Sequence, residues 1–393
     1  MGKLKDSLIF KLILGVVVGI IIGLYATADV IGVVNTIKYI LGQIISFTVP
    51  LIILGFIAPA ITKMKSNASK MLGTMVFLAY CSSVGAAIFS MIAGFSIIPK
   101  LHIVNVAEGL KELPALILKV DIPPVFSVMT ALVLSIFLGL AVVWTKSTRT
   151  EELLDEFNNI MLKIVYAIII PILPFFIATT FATLAYEGGI TTQLPVFLKV
   201  VLIVLIGHFI WLTVLYSLAG VISGKNPLQV VKYYLPAYLT AVGTMSSAAT
   251  LPVALRCAKK SPVLDEEIVD FAVPLGSTVH LCGSVLTEVF FVMTVSKVLY
   301  GTLPTMGTML LFIVLLGVFA VGAPGVPGGT VMASLGIIIS VLGFDESGVA
   351  LMLTIFALQD SFGTACNVTG DGALTLMLNG IFRKEVAKEK EAK

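Results

Sequence analysis

Three polar side chains share a nearly apolar segment close to the C-terminal end of the chain. Asp360, Asn367 and Asp371 are seven and four residues apart, so on a helix they lie along one face. A carboxylate in an apolar segment is costly to bury, which favours a functional role. Carboxylate and amide oxygens suit a small cation, and a carboxylate also suits an ammonium group. For Asp371 an N-cap is a compatible alternative, because Thr-Gly-Asp-Gly is good capping sequence for a helix over 373–378.

The preceding apolar segment carries two further ionisable side chains, His280 and Glu288, which are eight residues apart. Either side chain can carry a proton if it is partly buried. The sequence favours a structural hydrogen bond for His280. For Glu288, within the apolar stretch 285–292, titration and satisfied burial remain alternatives.

The composition shows what kind of element must hold these side chains. Hydrophobic residues make up 58% of the 393 residues, charged residues make up 12%, and the mean hydropathy is +1.08, which excludes an ordinary soluble domain. Apolar runs long enough to cross a membrane as helices recur, without the alternation of a membrane β-barrel. Six plain spans fall near 12–25, 37–61, 71–98, 126–143, 160–185 and 194–222. We therefore expect an all-α integral membrane protein.

Small and hydroxylated residues interrupt the apolar pattern four times in the second half of the chain. The interruptions at 243–252 and 322–330 predict the tips of two re-entrant hairpins. Each hairpin is followed by a span that is itself interrupted, at 276–284 and at 360–371, and this order predicts an inverted repeat. Non-helical backbone at membrane depth is tolerated only where protein or a water-filled cavity satisfies its polar groups. Helix N-termini suit a carboxylate and unwound carbonyls suit a cation, so we expect a midplane site for a small charged solute and an ion.

Basic residues in short loops predict the orientation. Lys3 and Lys5 precede the first span, and Lys63, Lys65 and Lys70 follow the second, which places both termini in the cytoplasm. The net charge of +3 reflects this orientation, and no basic surface interleaved with aromatic residues indicates a nucleic-acid partner.

The sequence lacks the motifs of several other protein classes. Its four cysteines form no C-x-x-C pair, so neither a disulfide framework nor a zinc site is predicted. It contains neither H-E-x-x-H nor G-x-S-x-G, which argues against the corresponding hydrolases. We expect no enzymatic activity and no cofactor.

Five short motifs between about residues 230 and 379 are the most specific features of the chain: Asn367-Val-Thr-Gly-Asp371, Ser246-Ser247, Thr250-Leu-Pro252, Pro274-Leu-Gly276 and Gly325-Val-Pro-Gly328. They resemble the dicarboxylate/amino acid:cation symporter family and are nearest in pattern to its serine/threonine branch. The resemblance implies eight transmembrane helices plus two re-entrant helical hairpins, a homotrimer in the inner membrane, and an elevator-type movement of one domain against another.

The resemblance also implies a division of the chain. Residues 1–222 would form mainly a scaffold for trimerisation, with helices three and six joining the moving domain, and residues 384–393 a cytoplasmic tail. The transport core, 228–383, would contain hairpin 1 at about 228–258, broken helix seven at about 263–297, hairpin 2 at about 304–342 and broken helix eight at about 346–381.

The family pattern further implies two sets of site residues. Asp360 would hold the substrate ammonium, Asn367 and Thr364 its main-chain polar groups, and the backbones of Ser247 and Val326 would donate at the two tips. The full substrate set implied is Ser246, Ser247, Ser284, Val326, Gly329, Thr330, Asp360, Gly363, Thr364 and Asn367. The cation or proton set is Gly276, His280, Cys282, Glu288, Asn367 and Asp371, with sodium held by Asn367 and Asp371.

Two departures from the family pattern bear on the substrate. Acidic amino acid transporters of the family have an arginine where this chain has Gly363, and the alternative arginine position is Met245. A side-chain carboxylate would then lack its bidentate partner, which favours a small neutral amino acid such as serine, threonine or alanine. An acidic amino acid or dicarboxylate symporter is the alternative within the family. An ion or anion channel is the alternative from another class.

Other departures bear on the coupling ion. Cys282 stands where sodium-driven members have a sodium-ligating aspartate, and Leu281 replaces a methionine. A neutral thiol is a poor ligand for a hard cation. The serine/threonine branch also lacks that aspartate and is sodium-driven. Sodium at reduced stoichiometry and a proton carried by Glu288 or His280 therefore both remain open.

Overall fold

The apolar runs of the first half fold as long helices. The computed structural model describes residues 8–63, 70–101, 111–188, 190–323 and 325–391. Its first seven helices are α1 (Leu8–Tyr25), α2 (Ala28–Lys63), α3 (Lys70–Ile97), α4 (Val128–Thr145), α5 (Thr148–Ile164), α6 (Ile170–Tyr186) and α7 (Ile190–Ser223). A π-helical turn, Val165–Ile169, joins α5 to α6 just before Pro171, which has no N–H to continue the regular hydrogen-bond pattern.

The second half consists of shorter helices that end at the predicted interruptions. They are α8 (Leu228–Thr244), α9 (Ser247–Lys259), α10 (Glu266–Val279), α11 (Cys282–Tyr300), α12 (Met306–Gly322), α13 (Gly329–Ser340) and α14 (Glu346–Glu391). Side-chain oxygens of Ser246, Asp265 and Thr305 accept backbone N–H groups in the first turns of α9, α10 and α12, which explains where these helices begin. The described ranges contain no strand.

Within the described residues, six helical segments are long and apolar enough to cross a membrane. They are Ala28–Pro59, Lys70–Lys100, Thr148–Tyr186, Pro195–Ser223, Glu266–Tyr300 and Glu346–Phe382. Shorter apolar helices are present at Phe10–Tyr25, Val133–Thr145, Met306–Gly322 and Gly329–Ser340. The last two long segments are the most deeply buried within the protein, because the other helices pack around them.

The helices pack in two groups. In the first half, α1 packs on α6, and α2 packs on α4, α5 and α6. In the second half, α14 is central and contacts α8, α10 and α11. Helices α3 and α7 contain the third and sixth predicted spans, near 71–98 and 194–222. They come from the first half but join the second group, since α3 packs on α11 and α12 and α7 packs on α14.

Two helical pairs turn back on themselves. Met245 (φ 53°) and Ser246 connect α8 to α9, while residues 323–328 connect α12 to α13 and end at Gly328 (φ 71°). Such short connections require each pair to run antiparallel. Helix α10 ends at Val279 and α11 begins at Cys282, so this interruption is only two residues long and not the whole predicted stretch 276–284.

The predicted break in the final helix is wrong. Helix α14 is continuous from Glu346 to Glu391, and Asp371 lies in its interior and not at an N-cap. The glycines that suggested a break have no positive φ. They instead allow close packing, because a Cβ on Gly363 or Gly370 would lie 3.3 Å or less from atoms of Ser284 or His280.

The orientation of the chain stays a prediction. Lys3, Lys5 and Lys65, on which that prediction partly depends, lie outside the described residues, as do the last two residues of the tail.

Candidate functional site

The tips of the two hairpins meet. The Ser246 hydroxyl, which caps α9, donates a hydrogen bond of 2.6 Å to the Gly325 carbonyl oxygen. The backbone N–H of Ala248 points to the same oxygen at 3.4 Å. A Cβ on Gly325 would lie 3.3 Å from the Ala248 backbone nitrogen and 3.4 Å from Ser247 Cβ, so a larger residue would push the tips apart. The N-termini of α9 and α13 therefore converge on one region.

Asp360 of α14 lies against the tip of hairpin 2. Its Oδ2 accepts the backbone N–H of Gly328 at 2.7 Å, and the side chain is 3% exposed. Gly328 has a positive φ, a conformation that a side chain would strain. The other residues predicted to bind substrate near the tips and on the adjoining turn of α14 are also buried: Ser247, Val326, Gly329, Thr330 and Thr364.

Helices α11 and α14 approach each other closely at Gly363. A Cβ on this glycine would lie 3.3 Å from both Cα and Oγ of Ser284. This contact leaves no free space on that side of Gly363. The structure thus places two predicted substrate residues, Gly363 and Ser284, in direct contact.

Asn367, one turn further along α14, caps the start of α11. Its Oδ1 accepts the backbone N–H groups of Gly283 at 2.7 Å and Ser284 at 3.1 Å, and its Nδ2 donates to Ser284 Oγ at 2.9 Å. Leu281, the N-cap residue of α11, provides no side-chain cap. The Asn367 amide therefore satisfies backbone donors that the interruption leaves free.

Asp371 and His280 form a fully buried pair. Asp371 Oδ1 is 3.0 Å from His280 Nδ1, and His280 Nε2 is 2.9 Å from the Ser82 hydroxyl on α3. A Cβ on Gly276 would lie 2.8 Å from Asp371 Oδ1, so only glycine fits beneath the carboxylate. Asp371 Oδ2 is buried and has no hydrogen-bond partner among the described residues. The imidazole is therefore held at both nitrogens.

Cys282 completes this cluster at the first residue of α11. Its Sγ and the imidazole of His280 both lie against Gly370, where a Cβ would be 3.2 Å from the sulfur and 2.8 Å from His280 Cε1. The thiols of Cys282 and Cys366 are free and buried. Because Cys282 offers a sulfur where an oxygen donor is expected, it adds nothing that favours a hard cation.

Glu288 is fully buried but belongs to a different contact. Its Oε1 accepts a hydrogen bond from the Ser334 hydroxyl on α13, and its Oε2 is buried with no partner in the part of the chain that the structure describes. The structure therefore links Glu288 to hairpin 2 and not to the cluster of Asn367 and Asp371.

Two polar contacts of the site were missed by the sequence analysis. Ser82 contacts His280 across 198 residues of sequence, and nothing in its local pattern signals this. His208 of α7 is buried, and its Nε2 lies 3.0 Å from the Gly283 carbonyl oxygen and 2.9 Å from Thr287 Oγ1. A histidine within an apolar span was the only available signal for His208.

Comparison with known proteins gives a consistent result. The family model described as "Sodium:dicarboxylate symporter family" matches residues 8–381. The chain is 27% identical over 243 residues to excitatory amino acid transporter 2 of Mus musculus, which covers 60% of this chain and 42% of that protein. It is 28% identical over 261 residues to excitatory amino acid transporter 3 of Bos taurus, covering 66% and 49%. The chain thus spans less than half the length of these relatives. The family match confirms the resemblance seen in the motifs, and the chain belongs to the sodium:dicarboxylate symporter family.

Proposed function

We propose that this protein is a secondary active transporter that takes up a small neutral amino acid in symport with a cation. One observation carries the choice of substrate. The buried carboxylate of Asp360 lies at the tip of hairpin 2, whereas none of the Lys and Arg residues whose side chains the structure describes is among the buried residues. The site therefore has a partner for an ammonium group but no cation for a side-chain carboxylate.

The carboxylate that every amino acid carries has a different partner. Helices α9 and α13 both begin at the hairpin tips, at Ser247 and Gly329, and their N-terminal N–H groups favour a negative charge. A zwitterionic amino acid would thus lie between Asp360 and these helix ends. Because Gly363 and Ser284 are in tight contact, little space remains between α11 and α14 at this point, which favours a substrate with a small side chain.

An acidic substrate is the second candidate, because the family description names dicarboxylates and the relatives are named for excitatory amino acids. This candidate requires a positively charged side chain to reach the site. Currents that persist without substrate would instead support the channel alternative.

The packing supports further parts of the proposal. Residues 228–383 would form a transport core around α14, joined by α3 and α7, which would move against a scaffold made of α1, α2, α4, α5 and α6. We also propose a homotrimer in the inner membrane with both termini in the cytoplasm.

Uptake into proteoliposomes tests the proposal. A panel of radiolabelled amino acids is offered under an inward sodium gradient or an inward proton gradient. We expect accumulation of serine, threonine or alanine, and we expect Asp360→Asn to abolish it. Asp270→Asn serves as the control, because Asp270 is an exposed carboxylate that pairs with Lys259 at 2.7 Å. Accumulation of aspartate in preference to serine would contradict the proposed substrate, and normal uptake by Asp360→Asn would remove Asp360 from the site.

A further inference from the structure

We infer that this transporter does not use sodium as its coupling cation, because the side chains at the expected cation site are already bonded to one another and to the backbone. The inference rests on the proposed cation symport and concerns which cation is used. It makes His280 and Cys282 the residues that determine cation specificity.

The Asn367 oxygen is not available to a metal ion. Asn367 Oδ1 already accepts two backbone N–H groups, from Gly283 and Ser284, at 2.7 and 3.1 Å. Turning this oxygen towards a cation would leave both buried donors unsatisfied, and an unpaired buried N–H group is unfavourable. The amide thus acts as a cap for α11 and not as a ligand.

The Asp371 carboxylate is half engaged by an imidazole. His280 Nδ1 lies 3.0 Å from Asp371 Oδ1, and the far nitrogen of the ring is held by Ser82 at 2.9 Å. The ring therefore cannot swing away without losing both bonds. Hard cations prefer oxygen ligands, and the imidazole has no oxygen atom. Both of its nitrogens are already hydrogen-bonded, so the ring offers no ligand atom to sodium.

Few oxygen donors remain for a sodium ion. The Gly276 carbonyl oxygen accepts the His280 N–H at 2.9 Å, and Cys282 contributes sulfur. Among the residues of the predicted cation set, Asp371 Oδ2 and Glu288 Oε2 are buried and unpaired in the described part of the chain, and Glu288 belongs to the separate contact with Ser334. Hard cations such as Ca²⁺ take about six or more oxygen ligands, so the side chains at this site provide far too few on their own.

A nearby hydroxyl does not change this count. Thr369 Oγ1 is also buried without a partner, but residues two apart on a helix do not face each other. The Thr369 backbone oxygen accepts the Tyr216 hydroxyl of α7. The side chains at the expected cation site therefore do not fit a sodium ion.

Thermal unfolding of the purified protein tests the inference without any substrate. Its melting temperature is measured in sodium, potassium and choline chloride at equal ionic strength. We expect no sodium-specific shift for the wild type. We expect the double variant His280→Asn, Cys282→Asp to gain an upward shift of a few degrees in sodium alone, because it replaces a ring and a thiol with two oxygen donors and binding to the folded state raises its stability.

A matched control and a flux measurement make the outcome decisive. His208→Asn makes the same change at a buried histidine that faces Gly283 and Thr287, and it should gain no sodium shift.

A sodium-specific shift of the wild type, or uptake of radioactive sodium that depends on the amino acid, would overturn the inference. A folded double variant without a shift would overturn the assignment to His280 and Cys282. If the double variant does not fold, the wild-type measurements decide. Failure to take up any amino acid would contradict the proposed function alone, because the thermal test needs no substrate.

Discussion

At the scale of single residues, Asn367 holds two helices of the site together. Its amide makes three hydrogen bonds to the first turn of α11, two of them to backbone N–H groups. In this arrangement one side chain both fixes the interruption between α10 and α11 and lies on the same face as Asp360. A small change at this position should therefore affect stability and uptake together.

Substitution of Asn367 by alanine tests this double role. Two buried N–H groups would lose their acceptor at about 1–3 kcal/mol each, so the melting temperature of Asn367→Ala should fall by several degrees and uptake should be lost. Asn379→Ala is the control, because Asn379 also lies on α14 but accepts only one backbone N–H, from Asp265 at 2.8 Å. It should cost less stability and keep uptake. Equal losses in both variants would contradict the role given to Asn367.

Gly363 offers a test of substrate preference. In Gly363→Arg a guanidinium would enter a site that has no buried Lys or Arg among the described residues. A charge-assisted hydrogen bond is worth about 1.5–3 kcal/mol, so the preference for aspartate over serine should rise roughly ten- to a hundredfold in competition assays.

A second variant separates charge from size. Gly363→Ala adds only a Cβ 3.3 Å from Ser284, so it should lower uptake of all substrates without changing the preference between them. If the arginine and alanine variants have the same preference, the argument from the missing cation is wrong.

Residue identities and spacing were sufficient to single out one face of α14. Asp360, Asn367 and Asp371 were predicted to lie together because a helix repeats every 3.6 residues. The partners of these side chains could not be predicted. Ser82 reaches His280 from a different helix, and only the packing of α3 on α11 brings the two together.

At the scale of elements, the hairpins and the final helix show where local patterns succeed and fail. Small polar residues predicted two hairpins, and α8–α9 and α12–α13 turn at those places. The same signal in α14 predicted a break that does not exist. Glycine costs about 1 kcal/mol in a helix interior, but burial against neighbouring helices overrides this preference. Local sequence alone cannot distinguish a glycine that ends a helix from a glycine that permits close contact.

The contact between the hairpin tips can be tested at Ser246. Ser246→Ala removes the cap of α9 and also the bond to the Gly325 carbonyl oxygen. Loss of the cap costs about 1 kcal/mol, and loss of the second bond about as much again. We therefore expect a lower melting temperature and reduced uptake.

Ser127→Ala is the matched control for this effect. Ser127 caps α4 through the Thr130 N–H at 3.1 Å, much as Ser246 caps α9 through the Ala249 N–H at 3.2 Å. Ser127 makes no contact with a hairpin tip among the described hydrogen bonds. If both variants lose the same stability, the bond between the tips contributes nothing measurable.

At the scale of the whole molecule, one apolar cluster joins the two groups of helices. Val326 at the tip of hairpin 2 packs with Ile52 and Phe56 of α2, Met161 of α5 and Val165 of the π-helical turn. The sequence could not predict this contact, because the helices of the first half are apolar on most sides and do not reveal which face meets which neighbour. If residues 228–383 move against the scaffold during transport, this cluster must open and close.

Cross-linking across the cluster tests that movement. In the double variant Phe56→Cys, Val326→Cys, a disulfide formed by a mild oxidant would tie the hairpin tip to α2, so uptake should be lost and should return on reduction. The double variant Ile52→Cys, Met161→Cys is the control, because both positions belong to the same cluster but lie on the scaffold side. Its disulfide should leave uptake unchanged. Full uptake by the oxidised Phe56–Val326 pair, with cross-linking verified by mass spectrometry, would show that the cluster stays closed throughout transport and that the substrate crosses without movement of the core.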